Sequence, residues 1–111
     1  MANSSLLRLV VTTVPDDITA SKIAETIVAE RLAACATVGS AVSSVFSWQG
    51  KIEKSKEYPI MIKTTGDAYP VLEKRLLELH PYDVPEIISF YAENVYQPYL
   101  SWLTDNVDSS N

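Results

Sequence analysis

CATVGSAVSSVFSWQG, residues 35–50, is the stretch that decides how this chain folds. Val38, Val42, Phe46 and Trp48 fall on one parity, with mostly small residues on the other, the period-2 pattern of a strand. Gly39-Ser40 predicts a bulge or bend within it. Gln49-Gly50 then makes a tight turn, because glycine supplies the positive φ that short hairpins need. The chain returns through the charged residues 51–57 into a second strand over residues 58–65.

Length makes this hairpin unusual. A strand of about 14 residues at ~3.3 Å each is roughly 45 Å long. The helix expected before it has about 15 residues at ~1.5 Å, or about 22 Å. About half of the hairpin must therefore project past the helix layer, carrying Phe46, Trp48 and Tyr58. An exposed aromatic hairpin with unpaired edges needs a cover. Another copy of the chain, joined at the sheet edges, is favoured over a hairpin that curls back on its own sheet. Pro59 has no N–H, which marks its side as an edge or a bulge.

Outward from the hairpin the pattern alternates. LLRLVVTTV, residues 6–14, is β-branched with little alternation and reads as a strand buried on both faces. After Pro15, Asp17 or Thr19 is the expected cap of a helix in which Ile23, Ile27, Val28 and Leu32 recur, running through Leu32-Ala33-Ala34. Past the hairpin, Asp67 is the expected cap of a second helix, with Pro70 in its first turn and Tyr69, Leu72, Leu76 and Leu79 on one face. Pro81 stops it. Residues 86–92 form a last strand, Pro98 opens a C-terminal helix bearing Leu100, Leu103 and Val107, and residues 108–111 read as a frayed tail. The order β-α-β-β-α-β plus a helix predicts an α+β, ferredoxin-like sandwich with an extended central hairpin. We read residues 1–111 as a single domain with its core over about residues 7–107, assembling through the hairpin.

Composition narrows the function. Nine Lys and Arg against fourteen Asp and Glu give a net charge of −5, which repels a nucleic acid or an anionic membrane. The single cysteine, Cys35, cannot form an internal disulfide, which fits a reducing compartment. The N-terminus lacks a signal-peptide pattern, since Arg8 interrupts its apolar run. No stretch approaches the ~20 apolar residues of a membrane span. The expected location is cytoplasmic.

At this point the sequence resembles the CutA divalent-cation tolerance proteins. The matching stretches are ERLAACATV (residues 30–38), SVFSWQGKIE (44–53), IMIKTT (60–65), LHPYDVPEI (79–87) and YLSWL (99–103). The resemblance implies a ferredoxin-like protomer in a homotrimer, a role in tolerance of copper and other divalent cations, and no enzymatic reaction. It places Trp48, Glu57, Lys63, Tyr82 and Asp83 around an inter-subunit cleft. The likeness of this fold to the trimeric PII signalling proteins supports an alternative: a sensor or scaffold for a small molecule or protein partner. Gln49 stands where the family commonly has an acid, and Gly39-Ser40-Ala41 where a proline often bends the strand. Copper-binding positions described for a bacterial relative fall on Thr12, Leu79 and His80, of which only His80 has a ligand side chain.

The residues themselves leave several readings open. His80, in HPYDVPEII (residues 80–88), is either a metal ligand through its imidazole or a helix-end histidine satisfying the last carbonyls. Glu86 and Asp83 can supply oxygens to the same turn. Cys35 is a small buried thiol or, facing a subunit cleft, a soft copper ligand. Lys63 lies in a strand and calls for an acid partner, with Glu57 and Glu86 as candidates. Zinc spacing is absent, so a strong metal site would have to borrow ligands across an interface. Copper or another divalent cation is thus a ligand and not an obligatory cofactor. Catalysis finds little support. A triad is improbable with one histidine, the loop after the first strand carries acids where a phosphate cradle needs glycine and arginine, and the first strand has no aromatic for RNA. HPYDVPEII reads as a stiff connection whose side chains line a cleft.

Overall fold

The computed structural model describes residues 6–108. The chain runs β1 (Leu7–Val14), α1 (Asp17–Ala29), β2 (Cys35–Val38), β3 (Val42–Trp48), β4 (Lys51–Thr65), α2 (Tyr69–Leu79), β5 (Ile88–Tyr91) and α3 (Gln97–Asp105). β4 is the spine of the sheet. It pairs antiparallel with β1 along residues 58–65, with β2 along 60–63 and with β3 along 51–57. β5 flanks β1, so the order is β2-β4-β1-β5, with β3 paired to β4 beyond β2. This is the expected split β-α-β arrangement in an antiparallel α+β sheet.

The expected 14-residue strand is two strands. Between the pairs Val38↔Ile60 and Val42↔Glu57 lie Gly39, Ser40 and Ala41 on one side and Tyr58 and Pro59 on the other. One extra residue makes a bulge, as the Gly39-Ser40 pair foretold. The Gly39 N–H donates to the Pro59 carbonyl at 2.8 Å, and a Cβ on Gly39 would lie 2.8 Å from Pro59 Cγ. Only glycine fits there without a shift.

Residues 51–57 of β4 pair with β3 alone, so a two-stranded ribbon leaves the sheet. The molecule is accordingly elongated, 45 × 26 × 25 Å. At its tip Gln49 (φ 51°) and Gly50 (φ 78°) both take positive φ, as a two-residue hairpin turn requires. Phe46 and Trp48 are exposed on the ribbon, as expected. Tyr58 is not. It pairs with Val14 and packs on the main core, because β1 reaches along β4 as far as Tyr58.

α1 and α2 cover one face of the sheet. Val10 and Val14 of β1 and Ile60 and Ile62 of β4 meet Ile23 and Ile27 of α1 and Leu72 and Leu76 of α2 in one buried cluster. Leu7 and Leu9, of opposite parity, meet Leu103 and Val107 around α3 in a second cluster. Asp16, and neither Asp17 nor Thr19, caps α1: its Oδ1 accepts the Thr19 N–H at 2.7 Å. Ala68 takes the cap position of α2 in place of Asp67, and its N–H donates to Thr65 Oγ1 at 3.2 Å.

α1 stops at Ala29, short of the expected Ala34. Arg31 adopts φ 60°, its N–H donates to Val28 O at 3.0 Å, and the Leu32 N–H reaches Ile27 O at 2.9 Å. This is a Schellman stop without glycine. Leu32 keeps helical spacing because it folds back onto the core after the stop. Asp108, expected to fray, is tied down: its N–H donates to Arg31 O at 2.9 Å and its carboxylate meets Arg31 Nε at 2.7 Å. Residues 109–111 of the expected tail, like residues 1–5, lie outside the described residues. β5 covers only the middle of its expected span. No helix among the described residues is long and apolar enough to cross a membrane.

Candidate functional site

Where the ribbon leaves the sheet, three segments converge. Thr13 is the next-to-last residue of β1, Glu57 sits where β4 passes from β3 to β1, and the α2–β5 connection brings Pro81, Tyr82 and Asp83 alongside. Together with the ribbon they border an open groove of about 860 Å³.

Glu57 lines this groove and is only 7% exposed. Its Oε2 accepts the Tyr82 hydroxyl at 2.8 Å and the Thr13 hydroxyl at 3.2 Å. Both bonds fall on the same carboxylate oxygen. Burial, then the bond to Glu57 and its charge, push the Tyr82 hydroxyl up to about 12.

His80 builds the wall behind. Its backbone N–H closes α2 on Leu76 O at 2.8 Å. Its Nε2–H donates to the Thr13 carbonyl at 2.9 Å, and its Nδ1 accepts the Tyr82 N–H at 3.1 Å. A carbonyl partner on one nitrogen and an amide on the other define the neutral Nε2–H tautomer. The ring stands 4.9 Å from that of Tyr82. Burial pushes the His80 pKa down, against the opposing pull of the Thr13 carbonyl and the Glu57 charge. Neither sequence reading foresaw this arrangement. The imidazole bonds to β1 and not to the α2 carbonyls, and both ring nitrogens are engaged within the chain.

Trp48, Glu57, Tyr82, Asp83 and Glu86 all line the groove. Lys63 and Cys35 do not. They are cross-strand partners on the sheet face opposite α1 and α2, where Lys63 Nζ donates to Thr37 Oγ1 at 3.0 Å and reaches Cys35 Sγ at 3.9 Å. The acid partner expected for Lys63, Glu57 or Glu86, is replaced by that hydroxyl and thiol. Lys63 and Glu57 share a strand face but stand six residues apart, about 20 Å along an extended chain. Cys35 is half-buried, and burial followed by the nearness of Cys35 raises the Tyr99 hydroxyl. The three metal candidates are therefore dispersed: Cys35 beside Lys63, His80 behind the groove, Glu86 on its rim. Among the described residues no three His, Cys, Asp or Glu side chains are grouped to hold a metal ion. The sequence reading missed Thr13, the second donor to Glu57. Only the β1–β4 register, Thr13↔Pro59 and Val14↔Tyr58, brings it there.

The geometry defines a small α+β protein with a projecting β hairpin and, at its root, a groove lined by Glu57, Tyr82 and Trp48. The chain belongs to the CutA1 divalent ion tolerance protein family, which it matches over residues 8–106. It is 40% identical over 98 residues to the divalent-cation tolerance protein CutA of Thermus thermophilus, spanning 88% of this chain and 95% of that one. Its identity to the Pyrococcus horikoshii protein of the same name is 42% over 97 residues, or 87% and 94% of the two chains. The solved structure of the divalent cation tolerance protein (Cut A1) from Thermus thermophilus superposes with a TM-score of 0.90 at 38% identity, covering 93% of this chain and 100% of that one. The family description names tolerance of an ion and no reaction.

Proposed function

We propose that this chain acts in the cytoplasm as a non-enzymatic homotrimer in tolerance of divalent cations, binding copper or a similar ion weakly and with no obligatory cofactor. The observation that carries this reading is the projecting ribbon together with the bare sheet face. Phe46 and Trp48 on the ribbon, and Met61, Ile88 and Phe90 on the sheet, are each at least 42% exposed. Apolar area on this scale calls for a cover, and neighbouring copies of the same ribbon can supply it. Within such an assembly Glu86, Cys35 and His80 contribute ligands across subunits. His80 must give up one of its two hydrogen bonds to do so, which keeps binding weak.

A second reading has its own support. Glu57 is held in a groove of small-molecule size while no metal-ligand cluster is grouped among the described residues. That favours a sensor or scaffold in which the groove takes a small molecule. Titration with Cu(II), comparing the parent chain with His80→Ala, Glu86→Gln and Cys35→Ser, separates the two. Loss of uptake in any folded variant supports ligation by that residue. Equal uptake by all four favours the sensor.

A further inference from the structure

On the sheet face opposite α1 and α2, antiparallel register sets Phe90, Leu9, Lys63 and Cys35 in one row across the strands. Ile88, Val11, Met61 and Thr37 make the next row. Directly opposed residues point to the same side of a sheet, so Lys63 lies among the exposed side chains of Phe90, Ile88 and Met61. It is the one charged residue of the two rows. Already half-buried, its ammonium meets the Thr37 hydroxyl and the Cys35 thiol. No carboxylate pairs with it among the described residues.

The ribbon presents the complement. Phe46↔Glu53 and Trp48↔Lys51 are cross-strand pairs, so the two exposed rings share a face with those charges and, further along β4, with Glu57. Lys51 stands at the tip beside the turn, and Glu57 is bonded to Tyr82 and Thr13. Glu53, opposite Phe46, has no hydrogen bond or ion pair among the described residues. Each of two apolar faces therefore holds a charge that its own chain does not answer, and the two are of opposite sign. Covering either face without a counter-charge would strand an ion away from water.

Reach permits the match. Residues 51–57 extend about 20 Å, while four strands at ~4.8 Å spacing make a face about 14 Å across. A head-to-tail contact, with the ribbon of one copy lying on the sheet of the next, can close into a ring. We propose that Glu53 of one copy pairs with Lys63 of the next, and that this ion pair sets the register of ribbon on sheet. The inference rests on the homotrimer reading and names the charge pair that orients it. Glu57 is the less suited partner, because its carboxylate already accepts two hydroxyls.

A charge-swap cycle on the full chain tests the pairing. Light scattering through a urea series gives the midpoint at which three chains become one, and circular dichroism establishes that each variant is folded without urea. Lys63→Glu and Glu53→Lys should each lower that midpoint by about 1 M or more, because each sets like charges face to face. The double swap should recover most of the loss. Should either reversal fail to fold, the neutral variants Lys63→Met and Glu53→Gln carry the same cycle, with the double variant losing less than the two singles together. A single variant that assembles as tightly as the parent overturns the pairing, and so do losses that simply add. A parent chain that is single without urea overturns the homotrimer reading and the pairing with it.

Discussion

Tyr82 donates its hydroxyl to Glu57 Oε2 at 2.8 Å, tying the connection after α2 to β4 where the hairpin leaves the sheet. A hydrogen bond to a charged, buried acceptor contributes about 2 kcal/mol. Tyr82→Phe should lower unfolding stability by that amount in urea denaturation at pH 7. The Tyr82 pKa rises from 10.0 to about 12 on folding, so this contribution is complete below pH 10 and shrinks as pH climbs toward 12. The gap between parent and variant should narrow over that window. A constant gap would place the effect in packing.

His80 titrates in the opposite sense. Its folded pKa lies below 6.5 because burial disfavours the imidazolium, and protonating Nδ1 breaks its bond from the Tyr82 N–H. Below pH 6.5 the unfolded chain binds the proton more readily. Stability from this group is therefore whole above 6.5 and is lost as pH falls through the folded pKa. Proton NMR should place the His80 midpoint below 6.5, and His80→Gln should remove that part of the acid dependence.

Gly39 and Pro59 form a coupled pair. Gly39→Ala should cost about 1–3 kcal/mol, since the new methyl must displace the pyrrolidine ring or break the bulge. A double-mutant cycle with Pro59→Ala measures this. The cost should shrink in the Pro59→Ala background, whereas additive losses would show that the contact carries no strain.

Long apolar elements were legible in the sequence, and their ends were not. β1, β4 and the buried faces of α1 and α2 announced themselves through Val10, Ile60, Ile62, Ile23 and Leu72, all deep in the core. The projecting hairpin followed from length alone. The stop of α1 was hidden because Arg31, and not glycine, takes the positive φ, while Leu32 imitates one more helical turn. The groove was half legible. The family resemblance placed Trp48, Glu57, Lys63, Tyr82 and Asp83 around an inter-subunit cleft; within one chain Trp48, Glu57, Tyr82 and Asp83 line one groove, while Lys63 faces Cys35 and Thr37 further along the strand. The contact of His80 with β1 was not legible because its partner, the Thr13 carbonyl, is a backbone atom 67 positions away.

Arg31 offers a separate check on that helix stop. Left-handed backbone costs a non-glycine residue about 1–2 kcal/mol, while its exposed ion pair with Asp108 contributes less than about 1. Arg31→Gly loses the ion pair but gains the conformation, whereas Arg31→Ala loses the pair and keeps the strain. Thermal unfolding should rank the glycine variant above the alanine variant. The reverse order would mean that the positive φ at this position carries no strain for glycine to relieve.

Light scattering of the purified chain at micromolar concentration tests the assembly most directly. A ribbon completed by its neighbours predicts a molar mass three times the 12.3 kDa of one chain. A folded species of 12.3 kDa, stable and dispersed at that concentration, would contradict it. The ribbon would then stand alone in water, and ligation shared between subunits would have no structure to act through.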